Sequence, residues 1–223
     1  MAPIIHTVNL RKVYAVGKER VIALNDVSIS IENGEFCCIV GQSGSGKSTL
    51  LNQLAGLEKP TRGKVFIGSH EISAMTEDEL AKFRQAHLGF IFQSYNLLPT
   101  MTAAENVALP LMFKGISRSQ RLAMARALLH DSPIYVFDEA TSNVDAESEN
   151  DIMKAIHSLA GKKTVILISH RLANVVDSDC IYVLEAGRIA EQGTHNDLLA
   201  AQGVYSRLYN AQKQLEDLGE VSA

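Results

Sequence analysis

The chain has 223 residues, of which 21% are charged and 46% hydrophobic, and its formal net charge is -4. This balance is typical of one soluble globular domain with a sizeable core, and it excludes a disordered or fibrous chain. The negative net charge gives no general attraction to nucleic acid, and no run approaches the roughly 18 apolar residues of a membrane span, so any work at a membrane requires a partner.

The first third of the sequence predicts strands followed by a helix. Alternating polarity predicts strands over 4–10 and 27–31, and a compact apolar run predicts another over 36–40. Cys37 and Cys38 are adjacent in this last strand and point to opposite faces, and Cys180 is remote, so neither zinc nor a disulfide framework is predicted. Apolar spacing then predicts a helix over 47–57.

The remainder alternates between helices and strands. Capping boxes of the Thr-x-x-Glu type at Thr76 and at Thr102 each predict the start of a helix. Continuous apolar runs are typical of strands buried on both faces of a parallel sheet. The predicted elements are a helix over 121–129, buried strands over 134–137 and 164–168, a hairpin of 182–184 with 188–191, and a helical tail over 197–218. This alternation predicts one α/β domain.

A glycine-rich motif follows the strand predicted over 36–40. It matches G-x-x-x-x-G-K-[ST] between a strand and a helix, which is the context that a phosphate-binding loop requires. Backbone N–H groups of such a loop surround phosphate oxygens, while Lys47 would reach the β- and γ-phosphates and Ser48 would hold magnesium. The predicted nucleotide-binding residues are Gly41, Gln42, Ser43, Gly44, Ser45, Gly46, Lys47, Ser48 and Thr49.

Two further predicted strands end in polar side chains. The strand over 134–137 runs into Asp138 and Glu139, and the strand over 164–168 runs into Ser169 and His170. Ligands gather at the carboxyl ends of parallel strands, so we expect these groups beside the glycine-rich loop. Asp138 would organise magnesium and Glu139 would orient or deprotonate the attacking water. His170 would donate to the γ-phosphate.

With these motifs the chain resembles the nucleotide-binding domain of ABC transporters over nearly its whole length. The resemblance implies that Gln93, in a segment similar to the family's Q-loop, contacts magnesium and the attacking water. It implies that Tyr14 stacks on adenine, with an ordinary core or surface tyrosine as the alternative. The segment over 142–145 is similar to the D-loop, and the segment over 169–171 is similar to the H-loop.

The two halves resemble different branches of that family. Residues up to about Gln120 are similar to the lipoprotein-releasing and macrolide-exporter ATPases, and residues from Arg121 onward are similar to ATPase domains fused to exporter membrane domains. A recombined or edited sequence would produce such a junction.

The family's glycine-rich signature is not recognisable in this sequence. Residues 116–120 stand in its place with side chains at both glycine positions, and the surrounding region is shortened. Arg118 could substitute for the signature, but a solvated polar connector is the favoured alternative. The resemblance therefore implies a P-loop NTPase core with a mostly parallel sheet flanked by helices, an N-terminal antiparallel β subdomain and a truncated helical subdomain. In one domain over 1–223, the core and β subdomain would take 1–92 and 130–223, and the shortened helical part 93–129.

The leading hypothesis from the resemblance is an ATP-hydrolysing subunit that energises an ABC membrane transporter of the export type. It implies ATP and Mg²⁺ as cofactors, a transmembrane permease partner, a possible homodimer, and a cytoplasmic position held at the inner face of the membrane through the partner. The main alternative is an ATP-binding module with impaired hydrolysis and coupling, because trans contacts from the signature would be lost. A soluble DNA-repair or translation ATPase is a third alternative, disfavoured because the chain has neither coiled-coil inserts nor a basic groove.

Overall fold

A computed structural model describes residues 3–91, 100, 132–139 and 146–220, with side chains described throughout except at 146–148 and 216–220. Several predictions lie outside the described residues: the capping box at Thr102, the helix over 121–129, Gln93, and the segments over 116–120 and 142–145. Within the described residues, no helix is both long enough and apolar enough to cross a membrane.

The described part of the chain alternates between strands and helices. The strands are β1 Ile5–Val16, β2 Glu19–Val27, β3 Ser30–Ile31, β4 Phe36–Gly41, β5 Arg62–Ile67, β6 His70–Glu71, β7 Leu88–Ile91, β8 Ile134–Asp138, β9 Thr164–Ile168, β10 Cys180–Glu185 and β11 Arg188–Gly193. The helices are α1 Lys47–Leu54, α2 Glu77–His87, α3 Ala146–His157, α4 His195–Ala200 and α5 Val204–Glu220, with short 3₁₀ turns at Ile72–Ala74 and Leu172–Val175.

These strands form two sheets of different character. A six-stranded sheet has the order β11-β10-β4-β9-β8-β7, in which only β11 is antiparallel to its neighbour. An antiparallel sheet has the order β2-β1-β5-β6, with β3 also paired to β1. The α/β architecture with a mostly parallel sheet and an N-terminal antiparallel unit is therefore confirmed.

Both faces of the six-stranded sheet are buried, as the continuous apolar runs predict. Cys37 and Ile39 of β4 pack with α1 and the antiparallel sheet, whereas Phe36 and Cys38 pack with α3, α4 and α5. All three cysteines of the chain are free, and the two in β4 do belong to opposite faces. The sheet thus lies between two layers that fix its strand ends in place.

The strand predicted over 27–31 is wrong as a single element. The chain forms β2 up to Val27 and resumes as β3 at Ser30. The Thr7 hydroxyl donates to the Val27 carbonyl at 3.3 Å and accepts from the Ile29 N–H at 3.0 Å. The Thr7 side chain therefore bonds the backbone groups of Val27 and Ile29, which a continuous strand would have paired with a neighbouring strand.

Helix boundaries follow local chemistry. The capping box at Thr76 is confirmed, because its side chain accepts from the Glu79 N–H while the Glu79 carboxylate accepts from the Thr76 N–H. The helix predicted over 47–57 ends earlier, at Leu54, because Gly56 adopts a positive φ of 62° that no continuing helix allows. A second capping box at Thr194, with Asp197 in the third position, begins α4.

Candidate functional site

The three polar strand ends predicted to converge do lie at one edge of the six-stranded sheet. β4, β9 and β8 are consecutive parallel neighbours, so their carboxyl ends share that edge. β4 leads into the glycine-rich loop, β8 ends at Asp138, and β9 is followed by Ser169 and His170. The order of strands thus places the histidine strand between the loop strand and the acidic strand.

The glycine-rich loop wraps tightly before α1. Gly46 is the N-cap of α1 with φ 104°, a left-handed conformation, and a Cβ there would lie 2.4 Å from the Ala23 carbonyl oxygen. The loop is tied across its own turn by the Ser45 N–H donating to the Gln42 carbonyl at 3.2 Å. It is tied to the β10–β11 hairpin by the Gly187 N–H donating to the Ser45 carbonyl at 3.0 Å. No side chain caps the start of α1, so its first N–H groups have no side-chain acceptor at the N-cap.

Lys47 folds back over this loop. Its ammonium donates to the carbonyls of Gly41 and Gln42, each at 3.0 Å, and the residue is only 5% exposed. Burial lowers the pKa of Lys47, while the nearby charges of Glu139 and Asp138 act in the opposite direction. A largely buried cation at the uncapped start of a helix is suited to binding an anion.

Asp138 is a buried carboxylate with one unused acceptor. Burial raises its pKa, as does the charge of Glu139, while Lys47 and a hydrogen bond with the Ser48 side chain lower it. Its Oδ1 atom is buried and has no hydrogen-bond partner. A buried carboxylate oxygen without a partner, next to a serine hydroxyl, fits the oxygen ligands that Mg²⁺ prefers in proteins, with water completing its coordination.

The side chains of Glu139 and His170 contact each other beside Lys47. Nε2 of His170 lies 2.5 Å from Oε1 of Glu139, whose side chain is 9% exposed, whereas the imidazole is half exposed. Glu139 has a positive φ of 49°, which costs about 1 kcal/mol in a residue other than glycine. Its N–H donates to the Ile168 carbonyl at 3.1 Å, so β9 holds it in that conformation.

Lys47, Glu139 and His170 line one open cavity of about 360 Å³, whose lining does not include Asp138. Its lining consists of Ala23, Ser43, Gly44, Gly46, Lys47, Ser48, Thr49, Glu139 and His170. All but Ala23 were predicted from the sequence. Ala23 lies in β2, a strand that the sequence analysis did not predict, and no pattern around it signals a role.

Tyr14 lies beside this cavity and not in its lining. Its hydroxyl donates to Oε2 of Glu58 at 2.5 Å, and the Thr49 side chain in the cavity wall is near enough to lower the pKa of Tyr14. Burial and the Glu58 carboxylate raise the pKa of Tyr14, while Thr49 lowers it. The Lys12 ammonium lies 5.2 Å from the ring centroid and 2.9 Å from Oε1 of Glu58. The sequence analysis missed Lys12 and Glu58, because their proximity depends on the pairing of distant segments.

Gln93 lies outside the described residues, but the strand before it is described. β7 runs parallel to β8, with Ile91 opposite Phe137. The chain therefore leaves β7 at the same edge of the sheet that carries Asp138. The proposed contact of Gln93 with magnesium stays a prediction.

Comparison with known proteins gives concordant matches. A family model described as ABC transporter matches residues 24–121. An uncharacterised ABC transporter ATP-binding protein of Thermotoga maritima is 36% identical over 221 residues, covering 85% of this chain and 94% of that protein. The macrolide export ATP-binding/permease protein MacB of Hyphomonas neptunium is 38% identical over 200 residues, covering 75% of this chain and 31% of MacB. The chain thus spans less than half of the longer curated relatives that it matches.

A solved structure agrees with these matches. The dimeric, post-hydrolysis ATP-binding cassette MJ0796 of Methanocaldococcus jannaschii, bound to ADP and phosphate, superposes with a TM-score of 0.77. The two are 33% identical, and the match covers 85% of this chain and 98% of the other.

Proposed function

Since this chain belongs to the family of ABC transporter ATP-binding proteins, we propose that it binds MgATP in the cavity above its glycine-rich loop and hydrolyses it to ADP and phosphate. The observation that carries this proposal is the position of the Lys47 ammonium, buried against the loop carbonyls and within electrostatic reach of Asp138 and Glu139. Few ligands other than a phosphate chain with its metal ion satisfy a cation, two carboxylates and a ring of N–H groups together.

The binding part of the proposal follows from these charges. The N–H groups of the loop and of the first turn of α1 would donate to β- and γ-phosphate oxygens, and Lys47 would neutralise them. Ser48 and Asp138 would hold the magnesium ion, which when bound neutralises phosphate charge and withdraws electron density from the reacting bond. The Tyr14 ring, next to Thr49, would stack on adenine.

The hydrolytic part assigns the acid and the imidazole. Glu139 would orient a water molecule in line with the γ-phosphorus and accept its proton. The oxygen of that water would bond to phosphorus as the bond from phosphorus to the β–γ bridging oxygen breaks, and ADP would leave. His170, which contacts Glu139 through Nε2, would donate an N–H to the γ-phosphate.

Coupling is the most distant part of the proposal. MJ0796 is described as a dimeric cassette and MacB as an export ATP-binding/permease protein. By extension, this chain would pair with a second copy and energise a transmembrane permease of export type, at the inner face of the membrane. The proposed helical part over 93–129 would be its docking element.

The comparisons give no support to the alternative of an impaired remnant. Reduced turnover remains a prediction from the missing signature in residues 116–120, and steady-state hydrolysis tests it. The division into a core over 1–92 and 130–223 with the segment over 93–129 is likewise a proposal.

Calorimetry and phosphate release test the two parts separately. We expect Lys47→Ala to weaken MgATP binding about 30-fold or more in titration calorimetry, because charge-assisted hydrogen bonds are lost. We expect Glu139→Gln to keep MgATP binding while lowering phosphate release about 100-fold or more.

Exposed residues of the same type supply the controls. Lys162 and Glu77 are exposed, so Lys162→Ala and Glu77→Gln should leave MgATP binding and phosphate release unchanged. Absence of any heat on adding MgATP to the unchanged protein would refute the nucleotide site. Equal phosphate release by the Glu139→Gln and unchanged proteins would refute the assigned water-activating role.

A further inference from the structure

An ion pair between Glu149 and Arg171 lies next to His170 in the chain. Glu149 of α3 is buried, with its side chain 4% exposed, and its Oε2 pairs with Nη1 of Arg171. Its other oxygen, Oε1, accepts from the Asn174 side chain at 2.9 Å. Each carboxylate oxygen therefore has a partner, and the two partners lie at the ends of the short segment over 171–174.

That stretch immediately follows His170. The Ser169 hydroxyl donates to the Arg171 carbonyl at 2.9 Å and accepts from the Arg171 N–H at 3.1 Å, so the turn closes around His170. The next residue, Leu172, is buried, and its N–H donates to Oε1 of Gln212 in α5 at 2.9 Å. The imidazole itself is half exposed, so the backbone turn, more than packing, sets where the ring points.

We propose that Glu149 is a positioning residue for the hydrolytic site, which anchors Arg171 and Asn174 and thereby holds His170 against Glu139. The proposal rests on the proposed function for its catalytic meaning, but its geometry does not. Glu149 itself touches no residue of the cavity lining in the described contacts.

The contacts of Glu149 contribute more to the geometry of this turn than to the stability of the fold. Burial removes hydration from the Glu149 carboxylate, while the Arg171 side chain stays 56% exposed. The attraction between them recovers little more than that cost, so the net stabilisation is small. A paired carboxylate does fix the orientation of its partners, because charge-assisted hydrogen bonds have a preferred geometry. Here the paired carboxylate fixes the orientation of Arg171, the residue after His170.

A spectroscopic experiment tests the geometry without requiring hydrolysis. In protein carrying ¹³C-labelled histidine, we expect Glu139→Gln to shift the His170 Cε1–Hε1 resonance, assigned from a His170→Gln sample. In the Glu149→Gln background the same change should shift that resonance less than half as much. An undiminished shift in that background overturns the proposal.

Kinetics provide the second readout. We expect Glu149→Gln to lower kcat for phosphate release about tenfold with KM for MgATP within twofold of the unchanged protein. In a His170→Ala background, Glu149→Gln should lower kcat by less than twofold, because its effect acts through the imidazole. Tenfold losses in both backgrounds indicate a general structural role and overturn the proposal.

Asp151→Asn is the matched control. Asp151 lies on the same helix, is 72% exposed and pairs with Lys154, so its substitution should move neither resonance nor rate. Urea unfolding of each variant separates loss of folding from loss of positioning. If the unchanged protein releases no phosphate but the resonance coupling is present, the proposed hydrolysis fails while the positioning of His170 by Glu149 holds.

Discussion

The six-stranded sheet presents Asp138, Glu139 and His170 from the ends of adjacent parallel strands, whereas the antiparallel sheet presents Tyr14 from within a long strand. In the first case strand direction alone brings the groups together. In the second, the position of Tyr14 depends on contacts with Glu58 and Thr49, which lie far along the chain. The order and direction of the strands therefore bring Asp138, Glu139 and His170 together, whereas individual side-chain contacts position Tyr14.

The glycine-rich loop lies against β2 of the antiparallel sheet at Gly46, and the largest effect should appear at that contact. Gly46→Ala would place a methyl group 2.4 Å from the Ala23 carbonyl oxygen at a φ of 104°. We expect the free energy of unfolding in urea to fall by about 2–3 kcal/mol, from backbone strain plus overpacking.

Gly44→Ala is the control for that prediction. Gly44 has φ 77° but nothing within 4 Å of an added Cβ, so only the strain of about 1 kcal/mol should remain. Equal destabilisation by both substitutions would show that contact with β2 contributes nothing.

Tyr14 should give the next largest effect, measured on nucleotide affinity. If its ring stacks on adenine, Tyr14→Ala should weaken MgATP binding about tenfold in titration calorimetry. Tyr14→Phe keeps the ring and loses only the hydrogen bond to Glu58, so its affinity should stay within twofold. A loss of the same size in both variants would locate the role of Tyr14 in its hydroxyl.

The buried carboxylate of Asp138, at the carboxyl end of β8, should destabilise the folded protein. Its Oδ1 is buried without a partner, so Asp138→Asn should raise the free energy of unfolding of the nucleotide-free protein by about 1 kcal/mol at neutral pH. The raised pKa of Asp138 means that the folded protein holds this proton more tightly than the unfolded chain does.

The pH dependence follows from that sign. Below the ordinary value of 3.8 the carboxyl is protonated in both states, and the advantage of Asp138→Asn should vanish. The advantage should grow as pH rises through the folded-state pKa and then level off. Urea unfolding across acidic and neutral pH measures it, with Asp151→Asn as an exposed control. A constant difference at all pH values would contradict the assignment.

The smallest effect is expected on the outer part of the antiparallel sheet. Lys64 pairs with Glu71 at 3.0 Å, but the lysine side chain is 56% exposed. Lys64→Ala should change the free energy of unfolding by no more than about 0.5 kcal/mol and leave MgATP affinity unchanged. A larger change would mean that this sheet contributes more than the position of Tyr14.

The same contrast explains what the sequence could predict. Apolar runs ending in Asp138 and His170 indicated buried parallel strands, and the glycine-rich motif indicated the loop between β4 and α1. Those inferences need only local pattern and strand direction. Eight of the nine residues that line the cavity are among the residues proposed for the site, whereas Asp138, Gly41, Gln42 and Ser45 do not belong to that lining.

The remainder depends on long-range pairing that local pattern does not encode. Nothing near Ala23 indicates that its carbonyl contacts Gly46, and nothing near Glu58 indicates Tyr14. The single strand predicted over 27–31 was wrong because the Thr7 side chain, about twenty positions earlier, takes over the backbone bonding there. Glu149 carries no motif at all, since its role depends on a turn in another part of the chain.

The peptide of Gly187 donates to the Ser45 carbonyl at 3.0 Å and accepts from the Asn25 N–H at 2.8 Å. One hairpin turn therefore braces the glycine-rich loop and β2 at the same time. A loop braced in advance loses little conformational entropy when a ligand arrives, so more of each new contact is realised as affinity. Under the proposed function, this bracing gives the glycine-rich loop its shape before the nucleotide arrives.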